Sequence, residues 1–458
     1  MNPDIFREFS IRGIADQELT DDIVIVIGQA LGTFLKRYQK ASLLVGRDVR
    51  NSSARISQAL IAGLVQTDIK VTDIGQVPTP VLNFTVDSQQ ADGGIMITAS
   101  HNPPEDNGLK IRTDHILSGD ELREIYQISQ IGDFLHSASA TGISTENINY
   151  FDPLPSYLAQ LKTIAQPLSL KVVVDGGNGT NGLIVSQLLR DLGCKVFELY
   201  CEPDGDFPNR SPDPTKSNAV VDLSARVRLE SADVGVAYDG DGDRLVVVDE
   251  LGNIVPGDQL IMILARDVLR HGPAKIVCEI LCTQALIDDV RAHGGEPIVT
   301  PSGYAFVHQV MHNSKAALGG EFSGHLFFNE PGFFFDDAIL GTVKFLNILV
   351  RARQSVSALV AALPAYSSSP QIRIPCPDIV KSTVIENVKS YFEQDYEVNT
   401  LDGVQVNFGY GRALVRQSNT QPVISMRFEA HTSDQLMTIQ TRVLSVVETE
   451  INQLTNTH

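Results

Sequence analysis

Short apolar runs alternate with amphipathic stretches along most of the chain. SLLVGRD (Ser42 to Asp48) reads as a strand, and SSARISQALIAGLVQT (Ser52 to Thr67) behind it as a helix. A strand follows around Lys70 to Ile74, and GGIMITAS runs as another from Gly93 into Ser100. The pattern restarts at KVVVDGGNG (Lys171 to Gly179), with a helix from Leu183 to Leu192. It restarts again near Lys275, after a helix around Gln259 to Leu269. Strands alternating with helices in this way predict sheets covered on both faces. The last portion differs. Strands are expected at Val404–Phe408, Arg412–Arg416 and Val423–Ala430, then a helix from Ser433 to about Asn452. Thr432 and Gln435 stand at capping-box spacing before that helix.

At 458 residues the chain exceeds one core, because domains usually hold ~100–200 residues. Candidate joints are SASATGISTEN (Ser137 to Asn147), the turn from Asp249 to Asn253, and YSSSPQ (Tyr366 to Gln371). Four units result: 1–148, 149–249, 250–366 and 367–458. The expected fold class is α/β: three similar α/β domains with mixed sheets, then an α+β domain, around a central cleft. No repeat shows in the letters themselves.

Hydrophobic content of 43% and charged content of 20% are ordinary for globular chains. The net charge of −19 argues against nucleic acid or an anionic membrane as partner. A phosphate ester would need local Arg and Lys clusters to reverse that field. Five scattered cysteines lack zinc spacing and read as small buried residues of a reducing compartment. The N-terminus, MNPDIFREFS, is charged where a signal peptide needs an apolar core. Ile23 to Leu35 falls short of the ~18 apolar residues that a membrane helix requires. A soluble, cytoplasmic protein is expected.

Two segments carry chemistry. In YDGDGDRLVVVDE, Asp239, Asp241 and Asp243 alternate with glycines directly after the strand VGVA. Carboxylates gathered within ~4 Å repel by roughly 1–4 kcal/mol per pair, and a divalent cation removes that cost. Hard oxygen ligands with room for water and phosphate suit Mg²⁺. An EF-hand is the rival, since counting from Asp239 puts Glu250 at position twelve. Position six, however, is Arg244 where glycine is required, and LVVV follows instead of a helix. A plain acidic turn is the other alternative. Arg244 favours the metal, as a fixed cation that can hold a phosphate oxygen. The second segment, TASHNPPEDNGLKI, ends a strand at Ser100 and continues through His101, two prolines, an Asn-Gly turn and Lys110. A stiff loop presenting a hydroxyl suits a covalent nucleophile or phosphate carrier, with a Pro-rich connection as the alternative.

TASHNPPEDNGLKI together with DGDGDR resembles the α-D-phosphohexomutase superfamily, most closely its bacterial phosphomannomutase/phosphoglucomutase branch. The resemblance covers nearly the whole chain. FREFSIRGI resembles the family's opening strand, with Arg12 in the place of its active-site arginine, and VGRDVRNSS, VDGGNGTNG and GDFPNRSPDPT resemble family segments. GGEFSGH resembles the sugar-binding loop, with Glu321 and Ser323 at sugar-contacting positions and His325 following. VRQSNTQP resembles the phosphate-binding loop, where Arg416, Ser418, Asn419 and Thr420 match the donors. The resemblance implies a phosphohexomutase moving a phosphoryl group between O1 and O6 of mannose or glucose phosphate. Ser100 would carry the group and, with Asp239, Asp241 and Asp243, hold one Mg²⁺. A hexose 1,6-bisphosphate would be intermediate and activator, and Arg12, His101, Lys110, Arg244 and His325 would surround the reacting oxygen. A monomer or weak homodimer is implied.

The chain departs from the family at several positions. Ser10 stands where relatives often have Asp, and Gly303, Tyr304 and His308 stand where a Gly-His turn and a Lys are common. Leu281 and Gln284 replace frequent basic residues. These changes remove positive charge near the expected sugar site. Three alternatives accompany the mutase reading: a phosphatase that loses the group to water, a phosphoglucosamine mutase, and a non-catalytic sugar-phosphate binding protein.

Overall fold

The computed structural model describes residues 1–135, 147–216, 218–418 and 422–455. The first sheet holds β1 (Ile11–Ile14), β2 (Ser42–Arg47), β3 (Lys70–Gln76), β4 (Gly93–Ile97), β5 (Asp106–Arg112) and β6 (Ile148–Tyr150), ordered β1-β5-β4-β2-β3-β6. The second holds β7 (Lys171–Asp175), β8 (Lys195–Leu199), β9 (Val234–Tyr238), β10 (Leu245–Asp249) and β11 (Ile254–Val255), ordered β11-β10-β9-β7-β8. The third holds β12 (Lys275–Glu279), β13 (Glu296–Thr300), β14 (Leu318–Gly320) and β15 (Leu326–Phe328), ordered β13-β12-β14-β15.

One arrangement recurs in all three. The sets β5-β4-β2-β3, β10-β9-β7-β8 and β15-β14-β12-β13 each join three parallel strands to one that turns back antiparallel. In each, the turn leaves the carboxyl end of the parallel strand that lies beside the antiparallel one. That turn carries Ser100 in the first sheet, the three aspartates in the second and GGEFSGH in the third. The three segments singled out from the sequence thus hold one topological position, at the strand ends where open α/β sheets bind ligands. The expected mixed α/β units are present, and the repeat hidden in the letters is plain in the strand order.

Helix Thr79–Gln89, helix Leu154–Ile164 and the Phe333 segment join the three units through one aromatic cluster. Phe84, Tyr157 and Phe333 have ring centroids 5.4, 5.5 and 6.0 Å apart. The Tyr157 hydroxyl donates to Asp337, which caps helix Ala338–Ala352. Such buried, interlocked contacts hold the loops of three domains in a fixed relation.

The fourth sheet contains β16 (Ser367–Ser368), β17 (Ile372–Pro375), β18 (Glu397–Asn399), β19 (Val404–Asn407), β20 (Gly411–Gln417) and β21 (Val423–Ala430), all antiparallel. Alternation decides its two faces. Val404, Val406, Ala413, Val415, Ile424, Met426 and Phe428 pack under helices Asp378–Phe392 and Ser433–Thr455. Arg412, Leu414, Arg416, Ser425, Arg427 and Glu429 share the opposite face, which meets the third domain. The expected capping box forms, with the Thr432 and Gln435 side chains bonded to each other's N–H groups at 3.3 and 3.1 Å.

The expected strand into Ser100 ends earlier, at Ile97. The cause is the buried Arg50 guanidinium, which collects the carbonyls of Ser100, Asn102, Pro103 and Asp106 and draws the chain out of the ladder. The five cysteines are buried and unpaired with one another, as expected of small core residues. No described helix is long and apolar enough to cross a membrane. The joint expected at Ser137 lies, apart from Asn147, outside the described residues.

Candidate active site

Ser100 is 2% exposed and adopts φ +51°, a conformation costly for a residue with a side chain. The loop is held there by several contacts. Its N–H donates to Thr98 Oγ1 at 2.7 Å, Thr98 donates to Asp48 at 2.7 Å, and Asp48 pairs with Arg50 at 3.1 Å. Arg50→Met should leave Asp48 buried without its cation and cost about 3–5 kcal/mol. Thermal unfolding should show this as a clear loss of stability together with loss of activity.

The bent loop presents Ser100 Oγ to Asp239 Oδ2, to which it donates at 2.8 Å. The close approach needs Gly240, because a Cβ there would stand 2.7 Å from the Ser100 carbonyl oxygen. Asp239 Oδ1 accepts from the N–H groups of Gly242, Asp243 and Arg244 at 3.0, 3.1 and 3.1 Å. Asp239, Asp241 and Asp243 are each 0% exposed, and their oxygens converge within 4.8 Å. Burial, Asp243 and Asp241 push the Asp239 carboxyl well up. Burial also works against an ionised Asp241, but Lys110 outweighs it and holds that carboxyl well below the usual range.

Lys110 Nζ lies 2.7 Å from Asp241 Oδ2 and 2.5 Å from Asp243 Oδ2. Thr79, at the start of its helix, donates to Asp241 Oδ2 at 2.7 Å. Asp241 Oδ1 and Asp243 Oδ1 remain buried without a hydrogen-bond partner. Two orphaned carboxylate oxygens beside a third carboxylate and a hydroxyl form a donor set that fits a hard divalent cation. Glu250 does not join it. It lies past the far end of β10, where it accepts from Ser357, and this excludes the EF-hand.

Basic groups ring the hydroxyl. His101 Nδ1 is 3.2 Å from Ser100 Oγ. Burial, with Arg244, Arg12 and Lys110 close by, lowers its pKa well below normal and leaves the ring neutral. Arg12 Nη1 donates to Asn102 at 3.1 Å, while its buried Nε has no partner. Arg244 Nε is 3.9 Å from Asp239 Oδ2 and donates to His325 Nε2 at 3.0 Å. His325 Nδ1 faces Asp336 Oδ2 at 2.9 Å. Burial opposes a second proton on His325, but Asp243, Asp336 and Glu321 push its pKa up to about 9. That proton can sit on Nε2 only if Arg244 turns away, because both groups would then be donors.

The third domain adds Glu321, whose Oε1 accepts from Gly303 N–H at 2.9 Å, and whose Oε2 is 3.9 Å from His325 Nε2. Gly303 has φ +142°, and a Cβ there would meet Phe9 at 2.8 Å. Tyr304 stacks on His325 at 5.7 Å and donates to the Phe9 carbonyl at 3.1 Å, linking the third domain to the first. Ser323 stands in the same turn, between Glu321 and His325. His308 is set deeper, against Phe327 and Phe334, where burial brings its pKa down to about 4. It lines a small cavity with Lys110, Arg112, Tyr304 and Asp336.

In the fourth domain Arg416 Nε donates to Asp402 at 2.9 Å, and Asp402 also accepts from Ser302 N–H, next to Gly303. Ser418 offers its carbonyl to Lys381 at 2.7 Å. Asn419 and Thr420 lie outside the described residues. Leu281 packs with Ile280 against Leu414 of the fourth sheet, and Gln284 N–H donates to Glu429. The sequence reading missed Arg50, Thr79, Asp336 and Asp402. Arg50 and Thr79 act across 50 and 162 residues on Ser100 and Asp241. Asp336 and Asp402 stand 11 and 14 residues from His325 and Arg416, and no local spacing signals the role of any of the four.

Four family profiles match the chain in order. Those for phosphoglucomutase/phosphomannomutase alpha/beta/alpha domains I, II and III match residues 3–135, 149–252 and 256–366, and the C-terminal domain profile matches 372–446. A phosphomannomutase/phosphoglucomutase of Pseudomonas aeruginosa is 39% identical over 441 residues, covering 95% of this chain and 94% of its own. A phosphoglucomutase of Neisseria gonorrhoeae is 36% identical, with 97% of both chains covered. The crystal structure of a phosphoglucomutase/phosphomannomutase family protein from Burkholderia thailandensis superposes with a TM-score of 0.90 at 33% identity, covering 98% of both chains. With Ser100, the three aspartates, Glu321 and Arg416 all carried on matched domains, the chain belongs to the phosphoglucomutase/phosphomannomutase family of phosphohexomutases.

Proposed function

We propose that this phosphohexomutase interconverts the 1- and 6-phosphates of mannose or glucose through phospho-Ser100. The observation that carries the reading is Ser100 Oγ lying 2.8 Å from Asp239, at the edge of the carboxylate trio. Four units serve it, 1–148, 149–249, 250–366 and 367–458, a division supported by the four profile matches at 3–135, 149–252, 256–366 and 372–446.

In the forward step the bond between Ser100 Oγ and phosphorus breaks as the free sugar oxygen bonds to phosphorus. The sugar hydroxyl gives up its proton, and Ser100 regains one. His101 is suited to pass it, being held neutral within reach of Oγ. Lys110, kept as an ammonium by Asp241 and Asp243, and Arg12 and Arg244 face the transferring group as donors. Asp239, Asp241, Asp243 and Ser100 would hold Mg²⁺, which when bound neutralises charge on the transferring phosphoryl oxygens. The product, a hexose 1,6-bisphosphate, turns end for end and returns its other phosphate to Ser100. Arg416, Ser418, Asn419 and Thr420 grip the phosphate that is not reacting, while Glu321 and Ser323 grip the sugar.

The test is a coupled assay with Mg²⁺ and a trace of hexose 1,6-bisphosphate, comparing mannose, glucose and glucosamine 1-phosphates. Conversion of the mannose or glucose ester, with many isomers formed per inorganic phosphate released, is expected. Release of one phosphate per turnover would make it a phosphatase, and preference for the amino sugar would reassign the substrate.

A further inference from the structure

The sugar turn is gripped by a group from the fourth domain. Phe322 stands between Glu321 and Ser323, and its ring centroid is 4.0 Å from the Arg427 guanidinium carbon. Arg427 lies on β21, on the sheet face that also carries Arg416. Its other contacts reach the third domain, at Asp258 Oδ2 (2.8 Å) and the Leu281 carbonyl. Arg427 is 8% exposed and Asp258 2%, so the ion pair is shielded from water, and the half-buried Phe322 ring covers the guanidinium. The backbone of the same residue is also held. Phe322 N–H donates to Glu279 Oε1 at 2.7 Å, and a Cβ on Gly257 would stand 2.4 Å from the Phe322 carbonyl oxygen. Burial and Glu321 push the Glu279 carboxyl up to about 8, which favours its neutral form beside Glu321.

We propose that Phe322 and Arg427 are positioning residues tying the fourth domain to the sugar turn, so that seating a phosphate on Arg416 and Ser418 sets where Glu321 and Ser323 stand. The inference rests on the assignment of those four residues made above. A shift of the fourth domain carries Arg427 with it, and either drags the Phe322 ring along or breaks the stack and a buried ion pair. Sugar grip and phosphate grip are therefore one event in this chain.

The test uses full-length Phe322→Leu, Arg427→Lys and the double variant. Leucine keeps bulk without a π face, and lysine keeps the charge toward Asp258 without the flat guanidinium. Each single change should raise KM for glucose 1-phosphate roughly tenfold with little change in kcat. Inhibition by inorganic phosphate should stay unchanged, and the double variant should be no worse than the worse single. Phe322→Tyr, which restores the ring, should restore KM, and it carries the test with Phe322→Leu if Arg427→Lys does not fold. Unchanged KM in Phe322→Leu, or effects that multiply in the double variant, would overturn the coupling. Glu321→Gln and Ser323→Ala separate the two levels. If they leave KM and kcat intact, the sugar-turn assignment itself fails; if they impair the enzyme while Phe322→Leu does not, only the coupling fails.

Discussion

Ser100→Ala should lower mutase turnover by about 10⁴-fold or more, while thermal stability stays within a few degrees of the parent. The chemistry has no substitute nucleophile at hand. The Thr98 hydroxyl is committed to Asp48 and to the Ser100 N–H, and the Thr79 hydroxyl to Asp241. His101 reaches Oγ but holds nothing else of the reaction in place. The loop itself should survive. Its shape comes from backbone carbonyls gathered by Arg50, and alanine meets the φ of +51° with no more strain than serine does. Loss of activity with retained fold therefore isolates the oxygen as the group that matters.

The second large effect concerns the carboxylate trio. Asp241→Asn keeps the shape of the side chain but removes a charge and turns an amide donor toward the space where Asp241 Oδ1 lies orphaned. Turnover should fall about 10³-fold, and divalent-cation affinity, read by calorimetry, should fall with it. Chelation should also stop turnover, yet leave the fold intact, because the Lys110 ammonium bridges Asp241 and Asp243 on its own. Lys110→Met inverts that behaviour. Without the ammonium, three buried carboxylates face one another, so the variant should be destabilised in chelator and regain stability on adding Mg²⁺. A Lys110→Met protein whose melting temperature ignores Mg²⁺ would mean that the trio is not a cation site.

Much of the site was legible because its parts are contiguous. TASHNPPEDNGLKI, DGDGDR and GGEFSGH each put the reactive side chain and its turn in one short segment. The strands before the first two could be read from apolar runs, since parallel strands buried on both faces are apolar throughout. What could not be read is what holds the segments in place. Arg50 braces carbonyls fifty residues on, Thr79 reaches Asp241 across two domains, and Asp402 joins Arg416 to Ser302. Such partners share no spacing with their targets. The departures behaved unequally for the same reason. Tyr304 stays in the site, stacked on His325, whereas His308, one helical turn on, is drawn among phenylalanines. Leu281 fills an apolar contact with Leu414 that only the docked fourth domain creates.

Intact mass spectrometry of the protein, before and after adding one equivalent of glucose 6-phosphate with Mg²⁺, tests the account most directly. A single phosphate located on Ser100, which leaves the protein and reappears in hexose 1,6-bisphosphate, is the expected result. Phosphate absent from Ser100 in a protein that still isomerises hexose phosphates, or phosphate that leaves Ser100 only as the inorganic ion, would contradict it.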